Sequence, residues 1–295
     1  ILFYFSSKIS YHLNLIDIPN KRKIHAIATA YTGGITLSFI MIFAIIIFDD
    51  FNKNLSSIIS MGFLISLVGL IDDKYHLNTG GKLSLQIIPI FYLVVFENFS
   101  LINIGNYDYF KFELNSFAIP FTLCSVLFLI NAFNYFDGID GALGFTSITV
   151  LLILFFLTSA QVGHHLVFEQ KIQYFLIVLI IPIIIFLIFN FSLFKLPKMF
   201  LGDSGSLLLG FIISFLLIYY ANAKLIHPIL LAWSVVIFVY EFLSINLIRL
   251  QNKQGLFKPG FDHLHHVLLN KNKSILLTNF IICMLNIFLF LIGYL

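Results

Sequence analysis

The chain has 295 residues, of which 60% are hydrophobic and only 11% charged, and its mean hydropathy is +0.99. Soluble domains carry about 25% charged residues, so this composition excludes one and defines a polytopic membrane protein. A net charge of +3 and a pI near 8.7 then point to basic loops at a membrane surface, not to nucleic acid.

Ile1 to Phe5 is too short to span a bilayer, and the start of a first helix is expected to be missing. A spanning helix needs about 20 mainly apolar residues, with about 17 as the lower limit. Uncharged apolar runs follow near 32–48, 55–71, 83–96, 117–131, 141–160, 172–194, 205–223, 228–248 and 275–295. With the N-terminal stub they make ten, which predicts an all-α, polytopic fold of about ten or eleven transmembrane helices, one domain over 1–295. The run at 83–96 is short and contains Pro89, so it must extend into its polar flanks or be sheltered by neighbours. Cys124 and Cys283 both lie in apolar runs and are expected to be buried, unpaired thiols.

The connections alternate in charge. Those at 8–31, 72–82, 132–140, 195–204 and 249–274 hold thirteen Lys and Arg, whereas those at 49–54, 97–116, 161–171 and 224–227 hold four, together all seventeen. The positive-inside rule places the first set in the cytoplasm. In the outer connection 97–116, alternating apolar and polar residues predict a small β-hairpin.

The cytoplasmic set also carries the unusual polar motifs. Asp17-Ile-Pro-Asn-Lys-Arg-Lys-Ile-His25, followed by Gly33-Gly34, is either a solvated basic loop that sets topology or an anion-binding arm. In the second case Arg22 and Lys23 would meet phosphate and the glycines would permit close backbone approach. Asp72 and Asp73 end an apolar helix, where adjacent carboxylates repel and the helix dipole disfavours anions; a divalent cation or a proton relieves them. Lys82 and Gln86 follow closely.

The stretch Asn131-Ala-Phe-Asn-Tyr-Phe-Asp-Gly-Ile-Asp-Gly141 sets two Asn and two Asp between long apolar runs, where hydrocarbon cannot solvate them. Asn134, Asp137 and Asp140 stand three residues apart and converge whether the helix continues or breaks at Gly138. Further on, Phe200-Leu-Gly-Asp-Ser-Gly-Ser206 opens a helix. Asp203 and Ser204 are placed to cap it, and Gly202 and Gly205 could bare amides to a phosphate. Last, His263-Leu-His-His266 places three imidazoles within four positions. No cysteine and no second ligand pair accompanies them, so phosphate binding or proton transfer fits better than zinc. Glu241, in a membrane run, is either functional or paired with a nearby cation such as Arg249. Carboxylates for a divalent cation, cations and imidazoles for phosphates, and a location where membrane meets cytoplasm together suit phosphoryl transfer to a lipid. A transporter would place its acids mid-membrane.

At these motifs, from about Asp17 to His266, the chain resembles the polyprenyl-phosphate N-acetylhexosamine-1-phosphate transferases (glycosyltransferase family 4), and its His-Leu-His-His form is similar to the N-acetylglucosamine-type branch. It departs from them at Ala28-Thr-Ala30, where Pro-Thr-Pro is common, and at Gly260, where an Asp commonly follows the proline. The resemblance implies transfer of N-acetylhexosamine 1-phosphate from a UDP-N-acetylhexosamine to undecaprenyl phosphate in the bacterial inner membrane, on the cytoplasmic side. It implies Mg2+ as cofactor, with Mn2+ as a substitute, and allows a homodimer. It assigns metal binding to Asp203 and Asn134, catalysis to Asp72, Asp73, Asp137 and Asp140, and phosphate or nucleotide binding to Arg22, Lys23, His25, Lys82, Asn131, His263, His265 and His266.

Overall fold

The computed structural model describes residues 1–19, 28–47, 52–107, 109–160, 166–253, 255 and 263–295. Arg22, Lys23 and His25 lie outside the described residues. The described chain is helical: α1 Leu2–His12, α2 Gly33–Ile47, α3 Lys53–Tyr75, α4 Thr79–Phe91, α5 Ala118–Phe136, α6 Ala142–Ala160, α7 Leu166–Asn190, α8 Gly202–Asn222, α9 Pro228–Ser234, α10 Val236–Gln251, α11 Leu264–Asn272 and α12 Ile275–Tyr294. Two short antiparallel pairs accompany them, β1 Ile16–Asp17 with β2 Thr29–Ala30, and β3 Asn103–Tyr107 with β4 Phe110–Glu113. The second pair is the hairpin expected on the outer side.

Seven helical stretches are long and apolar enough to cross a membrane, and α9 with α10, bent by 65°, makes an eighth. The chain is therefore a multi-pass membrane protein. The expected count of ten or eleven also included the N-terminal stub and the run at 32–48, which are described here as helices of 11 and 15 residues. The run around Pro89 does extend: α4 starts at Thr79 and passes into a π-helical turn at Tyr92–Phe96, a wide turn downstream of the proline, which has no N–H to donate. Cys283 is partly buried, but Cys124 is exposed on α5. An apolar run in a membrane protein does not reveal which of its faces meets lipid.

At the centre stands α8, apolar on all sides and 94% buried along its spanning window. It packs against α2, α3 and α5. Helices in lipid gain little from hydrophobicity, so they associate through small residues and hydroxyls. A Cβ on Gly34 would fall on the backbone of Gly205, and one on Gly69 on the backbone of Asp203 and Ser204. The Gly33-Gly34 pair thus admits a close backbone, as the sequence suggests, but the backbone is that of α8. Gly33 and Gly34 donate their amides to Phe200 and Leu201 at 3.0 and 2.9 Å, while Phe200 donates to Ala30 at 2.8 Å. Ser66 on α3 donates to Ser38 on α2 at 3.0 Å.

Gly34→Val should therefore cost at least ~1–3 kcal/mol of overpacking, read as a lower Tm in detergent. Gly255→Val, where nothing among the described residues lies within 4 Å, should leave Tm unchanged.

Candidate active site

The chain reverses at His76, which caps α3 in the left-handed conformation (φ 51°), and re-enters helix at Asn78, whose side chain accepts the Gly81 amide at 2.7 Å. This reversal brings the last turn of α3 against the first turn of α4. Lys82 Nζ lies 2.7 Å from Asp72 Oδ2 and donates to Asp203 Oδ2 at 2.5 Å and to Asn134 Oδ1 at 3.2 Å. Asn134 Nδ2 in turn donates to Asp203 Oδ1 at 2.9 Å and to Ser206 Oγ at 2.8 Å. Four helices, α3, α4, α5 and α8, thus meet at one ammonium group.

The adjacent acids of α3 take different backbone amides. Asp72 Oδ1 accepts the Leu77 amide at 2.9 Å. Asp73 accepts the amides of Asp203 and Ser204 at 3.0 and 3.3 Å, so it caps α8 from a neighbouring helix. Capping by Asp203 or Ser204 was one of the two readings of this motif, and α8 has no side-chain cap of its own. The carboxyl group at this helix N-terminus is that of Asp73, and the two amides it accepts offset a helix end that disfavours it.

The stretch 131–141 divides by role. Asn131 is buried and donates to Gln86 Oε1 at 2.9 Å, tying α5 to α4. The helix ends at Phe136, so Asn134 projects from it while Asp137 and Asp140 follow in the loop. Asp140 pairs with Lys198 at 2.6 Å, and its carbonyl accepts from Asn279 at 2.8 Å. Lys198 is a site residue that sequence reasoning counted only as a loop cation; its position four residues before Gly202 was the available signal. Asp137 lies deep in the cleft, where burial first, then the charges of Asp203 and Asp140, push its carboxyl up to about 7.

These groups line an open cleft of about 1170 Å3 at one end of the helix bundle, among them Asp72, Asp73, Lys82, Asp137 and Asp203. The histidine cluster is split. His266 lines the cleft, whereas His265 is fully buried beneath it, its ring packed on Gly138. His263 Nδ1 lies 3.2 Å from Glu241 Oε1, which also accepts the Leu264 amide at 3.2 Å. Burial, then His266 and His263, hold His265 well below the ordinary imidazole range, so it is neutral. His227 caps α9 by accepting the Ile229 amide at 3.3 Å.

Asp72, Asp203 and Asn134 offer an all-oxygen donor set around one cation, the chemistry that a hard divalent ion takes. Cations and amides nearby suit phosphates, and Asp137 can gain or lose a proton near neutrality.

A raised native pKa means that Asp137 favours the folded state while protonated. Stability is lost as pH rises from the unfolded value of 3.8 through about 7. In EDTA, Asp137→Asn should therefore melt higher than wild type above neutral pH, by at most about 4 kcal/mol and less where cleft water screens the charge. The gap should close below about pH 4. A thermal-shift series across pH checks this, and a gap independent of pH would contradict it.

Residues 55–221 match the model of glycosyl transferase family 4, a span that holds Asp72, Asp73, Asp137, Asp140, Asp203 and Lys82. The chain is 26% identical over 275 residues to the undecaprenyl-phosphate alpha-N-acetylglucosaminyl 1-phosphate transferase of Escherichia coli K12, covering 91% of this chain and 73% of that one. It is 26% identical over 276 residues to the Yersinia pestis protein of the same description, with 90% and 72% covered. It is 29% identical over 276 residues to the probable undecaprenyl-phosphate N-acetylglucosaminyl 1-phosphate transferase of Bacillus subtilis, with 89% and 72% covered. The family match spans more than half of the chain and contains the acid cluster at the mouth of α8, and the chain belongs to glycosyl transferase family 4.

Proposed function

We propose that the protein transfers N-acetylhexosamine 1-phosphate from a UDP-sugar to undecaprenyl phosphate, releasing UMP, as the first membrane step of a cell-envelope glycan. The observation that carries this is the convergence of Asp72, Asp203, Asn134 and Lys82 at helix mouths, in a cleft wide enough for a nucleotide sugar. The relatives' descriptions name the same acceptor class. The thirteen-to-four division of cations supports a cleft on the cytoplasmic side, and the bacterial relatives support an inner-membrane location.

Asp203, Asp72 and Asn134 would hold Mg2+, which when bound supplies charge neutralisation at the diphosphate. Lys82 gives a second positive charge to the transferring phosphoryl group once its acids are otherwise engaged. Asp73, by capping α8, keeps Asp203 in place. A lipid phosphate oxygen attacks the sugar-bearing phosphorus in line. A P–O bond forms to the lipid phosphate as the bond to the UMP oxygen breaks, and the electron pair leaves with UMP. Asp137, poised near neutrality, accepts the proton of a singly protonated lipid phosphate. The acids stand at helix ends, which favours this reading over ion-coupled transport, where they belong mid-membrane.

Purified protein given undecaprenyl phosphate and a panel of UDP-hexosamines should release UMP with one donor class, only with the lipid and Mg2+. Asp203→Ala should reduce this by at least ~100-fold. Absence of UMP with every donor from folded protein would overturn the proposal.

A further inference from the structure

Beneath the cleft floor, and outside the acid cluster, α10 and α11 bring three ligating side chains together. Glu241 is 2% exposed and His265 0%. Glu241 Oε1 lies 3.2 Å from His263 Nδ1 and 3.6 Å from His265 Nδ1, and among the described residues the ligating atoms of the three all fall within 4.8 Å of one another. A tetrahedral zinc ion with ligand bonds of about 2.0–2.1 Å separates neighbouring ligand atoms by about 3.3 Å, so the two short separations are of the required size.

A second observation is independent of that spacing. Neither imidazole nitrogen of the buried His265 has a hydrogen-bond partner among the described residues. A buried polar group left so costs about 1–3 kcal/mol, and satisfied polar groups are the rule inside proteins. Sequence spacing argued against zinc because no further ligand stood near the histidines. The structure supplies it from a membrane helix 22 positions upstream of His263.

We propose that Glu241, His263 and His265 bind one zinc-class divalent transition-metal ion, separate from the all-oxygen site of the cleft. Two imidazoles and one carboxylate suit zinc better than Mg2+ or Ca2+, which prefer oxygen alone. His263 keeps 11% of its side chain accessible, and a water there completes four-coordination. The ion joins α10 to α11 and, through His265 packed on Gly138, fixes the loop that carries Asp137 and Asp140.

The test is metal retention by the full chain, purified in detergent, loaded with Zn2+ or Co2+ and dialysed against excess Mg2+ to clear oxygen-only sites. About one zinc per chain should remain in wild type and in Asp203→Ala. Glu241→Gln and His263→Gln should each weaken retention by ~10–100-fold or more. Co2+ should give the intense visible bands of a four-coordinate ion. Folded wild type that retains no metal, or retention in both variants equal to that of wild type, would overturn the proposal. If size exclusion shows the variants misfolded, the wild-type Co2+ spectrum decides, and the weak bands of a six-coordinate ion, or none, would overturn it too.

Discussion

Three carboxylates, Asp72, Asp73 and Asp203, crowd the mouth of α8, where the low dielectric would make each uncompensated charge cost several kcal/mol. The ammonium of Lys82 and the first amides of α8 resolve this. Lys82 takes Asp72 and Asp203, and the amides take Asp73. Such buried pairs add little net stability, but removing one partner strands the other, so the arrangement specifies how α3, α4, α5 and α8 must meet. The reacting end of the molecule is thereby defined by charge balance more than by shape.

Charge balance requires backbones close enough for these contacts, and the small residues provide that. Gly34 and Gly69 let α2 and α3 approach the start of α8, and the amides of Gly33 and Gly34 strap the chain before it. Hydroxyl and amide contacts repeat the device away from the cleft. Ser10 meets Thr32 at 2.6 Å, and Asn286 donates to the carbonyl of Ser234 at 3.2 Å. In a bilayer these close, polar contacts do what apolar burial does for soluble helices. The result is a rigid central helix with its N-terminus presented to a cleft open at the membrane surface.

Two donor chemistries are layered at that end. Oxygen ligands and a lysine face the cleft, while Glu241 and the imidazoles of His263 and His265 lie outside its lining. His266, whose ring centroid lies 4.4 Å from that of His265, lines the cleft.

Composition, run length and loop charge were enough to determine a helical membrane protein with one chemically distinctive end, because hydrocarbon penalises polar atoms wherever the chain later folds. They also located the acids of 72–73, 131–141 and 203, since such groups between apolar runs have nowhere else to lie. Run length could not see that one run breaks into α9 and α10. The partners were not legible. That Asp73 caps α8 from 130 residues away, that Asn131 turns to Gln86, that Lys198 holds Asp140 and that Glu241 meets His263 are products of helix packing. Sequence fixes a side chain's chemistry and its place along a helix, but its partner depends on which faces of distant helices touch, and only the tertiary structure decides that.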